Sequence, residues 1–138
     1  MSKRDIWVEN RVEDSMSTRT NEKPGDIAEI ECWAEAREFV SLIYELTSKG
    51  DFKNDALLRE TLRKDSIAVM GTIADGFHRG AVSSFRSCLE EAKGLLGSTV
   101  SHLYIAHDQN YLTKEELNDT LAKAYTVGIK IKSFLKNI

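Results

Sequence analysis

From Ile27 onward the large apolar residues return every three or four positions, the period of helices buried along one side. Steps of about 100° per residue gather Cys32, Ala36, Phe39, Val40, Ile43 and Leu46 on one face of a first helix. Glu31, Glu35, Glu38 and Glu45 fall on the opposite face, with Trp33 and Tyr44 at the margin. Thr47-Ser48-Lys49-Gly50 supplies a glycine stop, so this helix is predicted over 27–48.

The spacing predicts a second helix over 54–76, with Leu58, Leu62, Val69 and Ile73 turned inward. Asp65 falls within that stripe, where a lone carboxylate demands a partner such as Arg37, His102 or Lys130. A third helix over 81–108 aligns Phe85, Cys88, Leu89, Ala92, Leu95, Leu96, Thr99, Leu103 and Ala106. Gly94 and Gly97 within it weaken the helix and suggest the close approach of a neighbour. Thr113-Lys-Glu-Glu116 reads as a capping box opening a fourth helix. That helix aligns Leu117, Leu121, Ala124 with Tyr125, Gly128, Ile131 and Leu135, and ends on Lys130, Lys132 and Lys136, which suits its dipole. No stretch alternates with the period of a strand. Four amphipathic helices on short connections read as an all-α, antiparallel up-down four-helix bundle.

Residues 1–26 break the pattern: five basic and six acidic side chains, few large apolar ones, and the single proline, Pro24, before Gly25. Such a segment buries too little to offset its ordering entropy, so it reads as a flexible N-terminal arm before a bundle over 27–138. Ile6-Trp7-Val8 is its one apolar anchor, which makes Trp7 a candidate for contact with a protein partner.

Charge and cysteine content narrow the functions. Nineteen Lys and Arg against 22 Asp and Glu give a formal charge of −3, without the basic excess of a promiscuous nucleic-acid binder. Two cysteines cannot build a disulfide framework, which points to a cytoplasmic protein. No apolar run is long enough to span a membrane. The basic residues nonetheless cluster: Arg59, Arg63 and Lys64 form a strip on helix two, and Arg79 and Arg86 flank the turn into helix three. They are interleaved with Asp55, Glu60, Asp65 and Asp75, so a solvated, internally paired face accounts for them as well as phosphate contact does.

Catalytic and metal signatures are missing from the sequence. Cys32, Cys88, His78, His102 and His107 form no paired-ligand motif, and no Glu-x-x-His pair of the di-iron bundles occurs. No serine lies in a nucleophile-elbow motif, and Gly71, Gly76 and Gly80 lack phosphate-loop spacing. A non-enzymatic protein without cofactor is the expectation.

The run from Trp33 to Thr47, Trp-Ala-Glu-Ala-Arg-Glu-Phe-Val-Ser-Leu-Ile-Tyr-Glu-Leu-Thr, resembles the first helix of a bacterial four-helix-bundle family encoded in intervening sequences of 23S ribosomal RNA genes. The segment from Leu62 to Arg79 aligns without a gap to that family's Leu-Arg-Arg-Ala-Ala-Val-Ser-Ile-Pro-Ser-Asn-Ile-Ala-Glu-Gly-Phe-Gly-Arg pattern. Ser84-Phe85 and the run from Ala106 through Tyr111-Leu112-Thr113 to Glu116 extend the likeness. Met70-Gly71-Thr72 replaces the family's Pro-Ser-Asn, which predicts a softer kink in helix two. Asp65 stands for an alanine, Asp75 for a glutamate, and Ser98-Thr99-Val100 for the usual glutamate pair.

The resemblance implies a homopentameric ring with no enzymatic activity and an association with RNA. It also implies kinship with the accessory variability determinant of diversity-generating retroelements, a pentamer that binds nucleic acid and a reverse transcriptase. Two functions follow as expectations. One is an oligomeric scaffold that binds RNA or DNA through Arg59, Arg63, Lys64, Arg79 and Arg86. The other is a protein-interaction adaptor, such as an accessory subunit of a reverse transcriptase, docking through Trp7 or through Glu31, Glu35 and Glu38.

Overall fold

The computed structural model describes residues 26–138; Trp7 and the rest of the predicted arm lie outside the described residues. The described chain is helical, with α1 over Glu31–Thr47, α2 over Ala56–Arg79, α3 over Val82–Asp108 and α4 over Lys114–Asn137. Consecutive helices pack on one another and α4 returns to α1, closing an antiparallel four-helix bundle. The contact is most extensive between α2 and α3.

The predicted stripes form the core. Phe39, Ile43, Leu62, Val69, Ile73, Phe85, Leu89, Leu103 and Ile131 are all essentially sealed from solvent. Four polar side chains lie among them, and three of these donate to a carbonyl one turn back: Thr47 to Ile43, Thr99 to Leu95, and Thr120 to Glu116. Ser66 donates to Arg63. Each buried hydroxyl thereby donates within its own helix.

Boundaries moved where local chemistry was stronger than the period. Residues 27–29 form a separate 3₁₀ turn capped by Asp26, and Ile30 then passes through an extended conformation with its side chain fully buried, so α1 starts at Glu31. Asp55 caps α2, accepting from the Leu58 N–H, which starts that helix at Ala56. The helix does not stop at Gly76. It runs unbroken through Met70-Gly71-Thr72 to Arg79 and ends at Gly80, whose φ of 85° is the left-handed cap conformation.

The glycine readings on helix three are corrected. Gly94 and Gly97 are exposed, and a Cβ at either would meet nothing within 4 Å. The close approach is at Gly76 instead, where a Cβ would lie 2.6 Å from Cys88 Cβ and 3.2 Å from Phe85 Cα. One α4 assignment also fails: Tyr125 is not in the core but 72% exposed, and Thr120 and Val127 are buried instead. The inward face of α4 is turned toward α1 relative to the predicted stripe.

The two loops at one end of the bundle are clasped together. Phe52, from a 3₁₀ turn over Gly50–Asn54, stacks on Tyr111 with ring centroids 5.0 Å apart, and the Tyr111 hydroxyl donates to Asp55 at 3.0 Å. Tyr111 is placed there by the end of α3, where Asn110 takes φ 65°. The Asn110 and Tyr111 N–H groups then donate to the His107 and Ala106 carbonyls, closing a Schellman motif. Among the described residues no helix is long and apolar enough to cross a membrane.

Candidate nucleic-acid interface

The cations singled out in the sequence separate into two groups in space. Arg63 and Arg79 are sixteen positions apart on the unbroken α2, which at about 1.5 Å per residue is roughly 24 Å. Arg59, Arg63 and Lys64 therefore occupy the loop-clasp end of the bundle, while Arg79 and Arg86 occupy the opposite end with the α2–α3 turn.

Most of these side chains are already engaged. Arg63 donates from Nε to Thr47 Oγ1 at 2.8 Å and from Nη2 to Ser48 Oγ at 3.0 Å. Its guanidinium lies 4.4 Å from the centre of the Tyr44 ring, so it pins the end of α1 to α2. Arg59 donates to the Lys53 carbonyl and lies 3.2 Å from Glu60. Arg79 makes a two-pronged pair with Asp75, both contacts at 2.9 Å, and that hydrogen-bonded guanidinium holds the Asp75 carboxyl below its ordinary range. Lys64 and Arg86 are exposed and have no partner among the described residues.

The acidic face of α1 is a seam rather than a bare surface. Lys123 on α4 donates to both Glu35 and Glu38, and Lys130 reaches Glu31 at 3.2 Å. Burial works against the Lys123 ammonium, yet the two carboxylates outweigh it and raise its pKa. Glu31, Glu35 and Glu38 were assigned to a protein partner from helix one alone; their partners are lysines of the same bundle.

Asp65 finds one of the partners named for it. Its carboxylate lies 2.8 Å from His102 Nδ1, half-buried between α2 and α3. The register explains the tolerance of a carboxylate there, because Ser66 takes the fully buried position and Asp65 the edge beside it. The cysteines behave as small apolar residues. Burial pushes the Cys32 thiol up to about 12 and also raises that of Cys88, so neither is a thiolate nucleophile at neutral pH. Among the described residues no three His, Cys, Asp or Glu side chains converge as a metal site would require.

A second basic surface, noted in the sequence as the basic end of the fourth helix but not among the candidate site residues, lies on α4. Beyond Thr120, α4 carries Lys123, Lys130, Lys132 and Lys136 and no acidic side chain. Two of these lysines stitch to α1; Lys132 and Lys136 point away from that seam, are exposed, and have no partner among the described residues. They share the outer side of α4 with Tyr125 and with Ile129, which is 47% exposed. The signal available in the sequence was this one-sided run of lysines, whose meaning depends on which two meet α1.

A family model described as 23S rRNA-intervening sequence protein matches residues 28–133, well over half of the chain and part of every helix. No curated protein matches the chain at a significant level.

Proposed function

Because the chain belongs to the 23S rRNA-intervening sequence protein family, we propose that it is a non-enzymatic, self-associating four-helix-bundle module that binds RNA. The observation that carries this reading is a set of exposed cations, Lys64, Arg86, Lys132 and Lys136, which like Arg37, Lys53 and Lys114 have no carboxylate partner among the described residues, whereas Lys49, Arg59, Arg79, Lys93, Lys123 and Lys130 are paired. Unpaired surface cations are what a phosphate backbone can use without first breaking an internal ion pair. The buried, protonated thiols support a non-catalytic role. A five-membered ring, as the family resemblance implies, would present each cluster five times.

The adaptor alternative has less support, since Glu31, Glu35 and Glu38 already hold Lys130 and Lys123. Fluorescence anisotropy with a labelled ribosomal RNA fragment tests the RNA reading. With two or more phosphate contacts per chain, affinity falls at least about sevenfold between roughly 50 and 200 mM salt. Binding that ignores salt, or no binding at the low-salt end, refutes it.

A further inference from the structure

We propose that the RNA seat is the outer face shared by α3 and α4, and that it takes single-stranded rather than duplex RNA; this rests on the RNA-binding reading above. The packing of Gly128, whose Cβ would lie 3.5 Å from Leu96 Cδ2, sets the antiparallel register of the two helices. In that register Tyr125 is about level with Thr99 and Val100, Lys132 with Lys93, and Tyr104 with Leu121. On α3, the spacing of Arg86, Lys93, Gly97, Val100 and Tyr104 keeps them on the side turned to α4. On α4, Leu121, Tyr125, Gly128, Lys132 and Lys136 line the side turned to α3.

The strip is graded. Its cationic end holds Arg86, Lys132 and Lys136, with Lys93 beside them paired to Glu90 at 3.3 Å. Its other end holds two exposed aromatic rings, Tyr125 at 72% and Tyr104 at 50% exposure, neither with a hydrogen-bond partner among the described residues. Gly97 and Gly128 leave the ground between them low. From Tyr104 to Arg86 the strip spans eighteen positions of α3, roughly 27 Å, enough for a short extended strand.

Phosphate-binding cations in line with open tyrosines are the elements of a stacking platform: the cations track the backbone and the rings take unstacked bases. A duplex keeps its bases stacked on each other and offers the tyrosines nothing to stack on. Arg86, Lys93, Lys132 and Lys136 on this strip face the single carboxylate of Glu90, so its charge favours a polyanion.

The test measures binding of a labelled single-stranded oligouridine and of an RNA duplex to the full-length chain across a salt series, with oligomeric mass followed by light scattering. The wild-type chain is expected to prefer the single strand. Tyr125→Ala and Tyr104→Ala each weaken single-strand binding by about 5- to 100-fold with little change in salt slope. Tyr125→Phe keeps most of the affinity, because the ring is retained. Lys132→Gln and Lys136→Gln each flatten the salt slope by about 0.7. If the wild-type chain binds no RNA, the functional reading falls and this surface with it. If RNA binds but these variants match the wild type while Lys64→Gln weakens it, the functional reading stands and the α3–α4 seat is wrong. If Tyr125→Ala instead splits an oligomer and leaves RNA affinity intact, the face is a contact between copies and the proposal is overturned. Circular dichroism checks that these surface variants remain folded.

Discussion

At the scale of single residues, three glycines of one sequence serve three unrelated purposes. Gly80 supplies a left-handed turn, Gly76 lets α3 come close, and Gly94 faces solvent and only weakens its helix. Alanine separates the last two. Gly76→Ala forces a Cβ to within 2.6 Å of Cys88 Cβ, and such overpacking is expected to lower stability by about 1–3 kcal/mol. Gly94→Ala is expected to raise it by up to about 1 kcal/mol, since the site is open and helical. Urea unfolding midpoints of the two variants should move in opposite directions. Composition shows that a glycine permits unusual backbone; it does not show whether the space beside it is filled. The predicted helix stop at Gly76 fell instead at Gly80, and the predicted close approach at Gly94 at Gly76, for that reason. Asp65 was more legible, because a carboxylate within an apolar stripe must be met by something, and His102 was among the few groups in reach.

Helices are held to each other here by ties that also respond to pH. Tyr111 joins the α1–α2 loop to the α3–α4 loop, and its hydrogen bond to Asp55, helped by burial, raises the phenol pKa. Lys123 joins α4 to α1, and its pKa is also raised despite partial burial. In both cases the folded pKa lies above the unfolded one, so the stabilisation is complete below the ordinary values of 10.0 and 10.5 and is lost as pH climbs through the folded values. Stability should therefore stay level in this respect around neutrality and fall on the alkaline side. Tyr111→Phe and Lys123→Met are each expected to lower the unfolding midpoint at neutral pH, with part of the alkaline fall removed in each variant. Unfolding curves at neutral pH and above pH 10.5 check both. The seam itself was only half legible. Helical spacing placed Glu31, Glu35 and Glu38 together, but Lys123 is 88 positions from Glu35, and only the docking of α4 brings them into contact. The partners of Arg63 were hidden for the same reason: Thr47 and Ser48 belong to the preceding helix and its end.

For the whole molecule, the four-helix architecture was readable because each helix carries an apolar period that only mutual packing can satisfy. The outer surface was not, since nothing in that period says which exposed apolar side chains are idle and which await a neighbour. Leu57 is 81% exposed on the first turn of α2, and Ile67 on α2 and Ile105 on α3 are also open to solvent. These residues lie away from the α3–α4 seat, so self-association through them leaves that seat accessible in every copy. Association that accompanies folding stabilises by mass action, which makes the melting temperature depend on protein concentration. For the wild-type chain the melting temperature is expected to rise by a few degrees per tenfold increase in concentration, and light scattering should give a multiple of the single-chain mass. Leu57→Lys adds a charge at a position that makes no contribution to the core. It should reduce the assembled fraction and flatten the concentration dependence while leaving the helical circular dichroism signal of the dissociated chain unchanged. A melting temperature independent of concentration, together with a single-chain mass throughout, would show that the bundle is complete as one copy and that its apolar surface residues are idle.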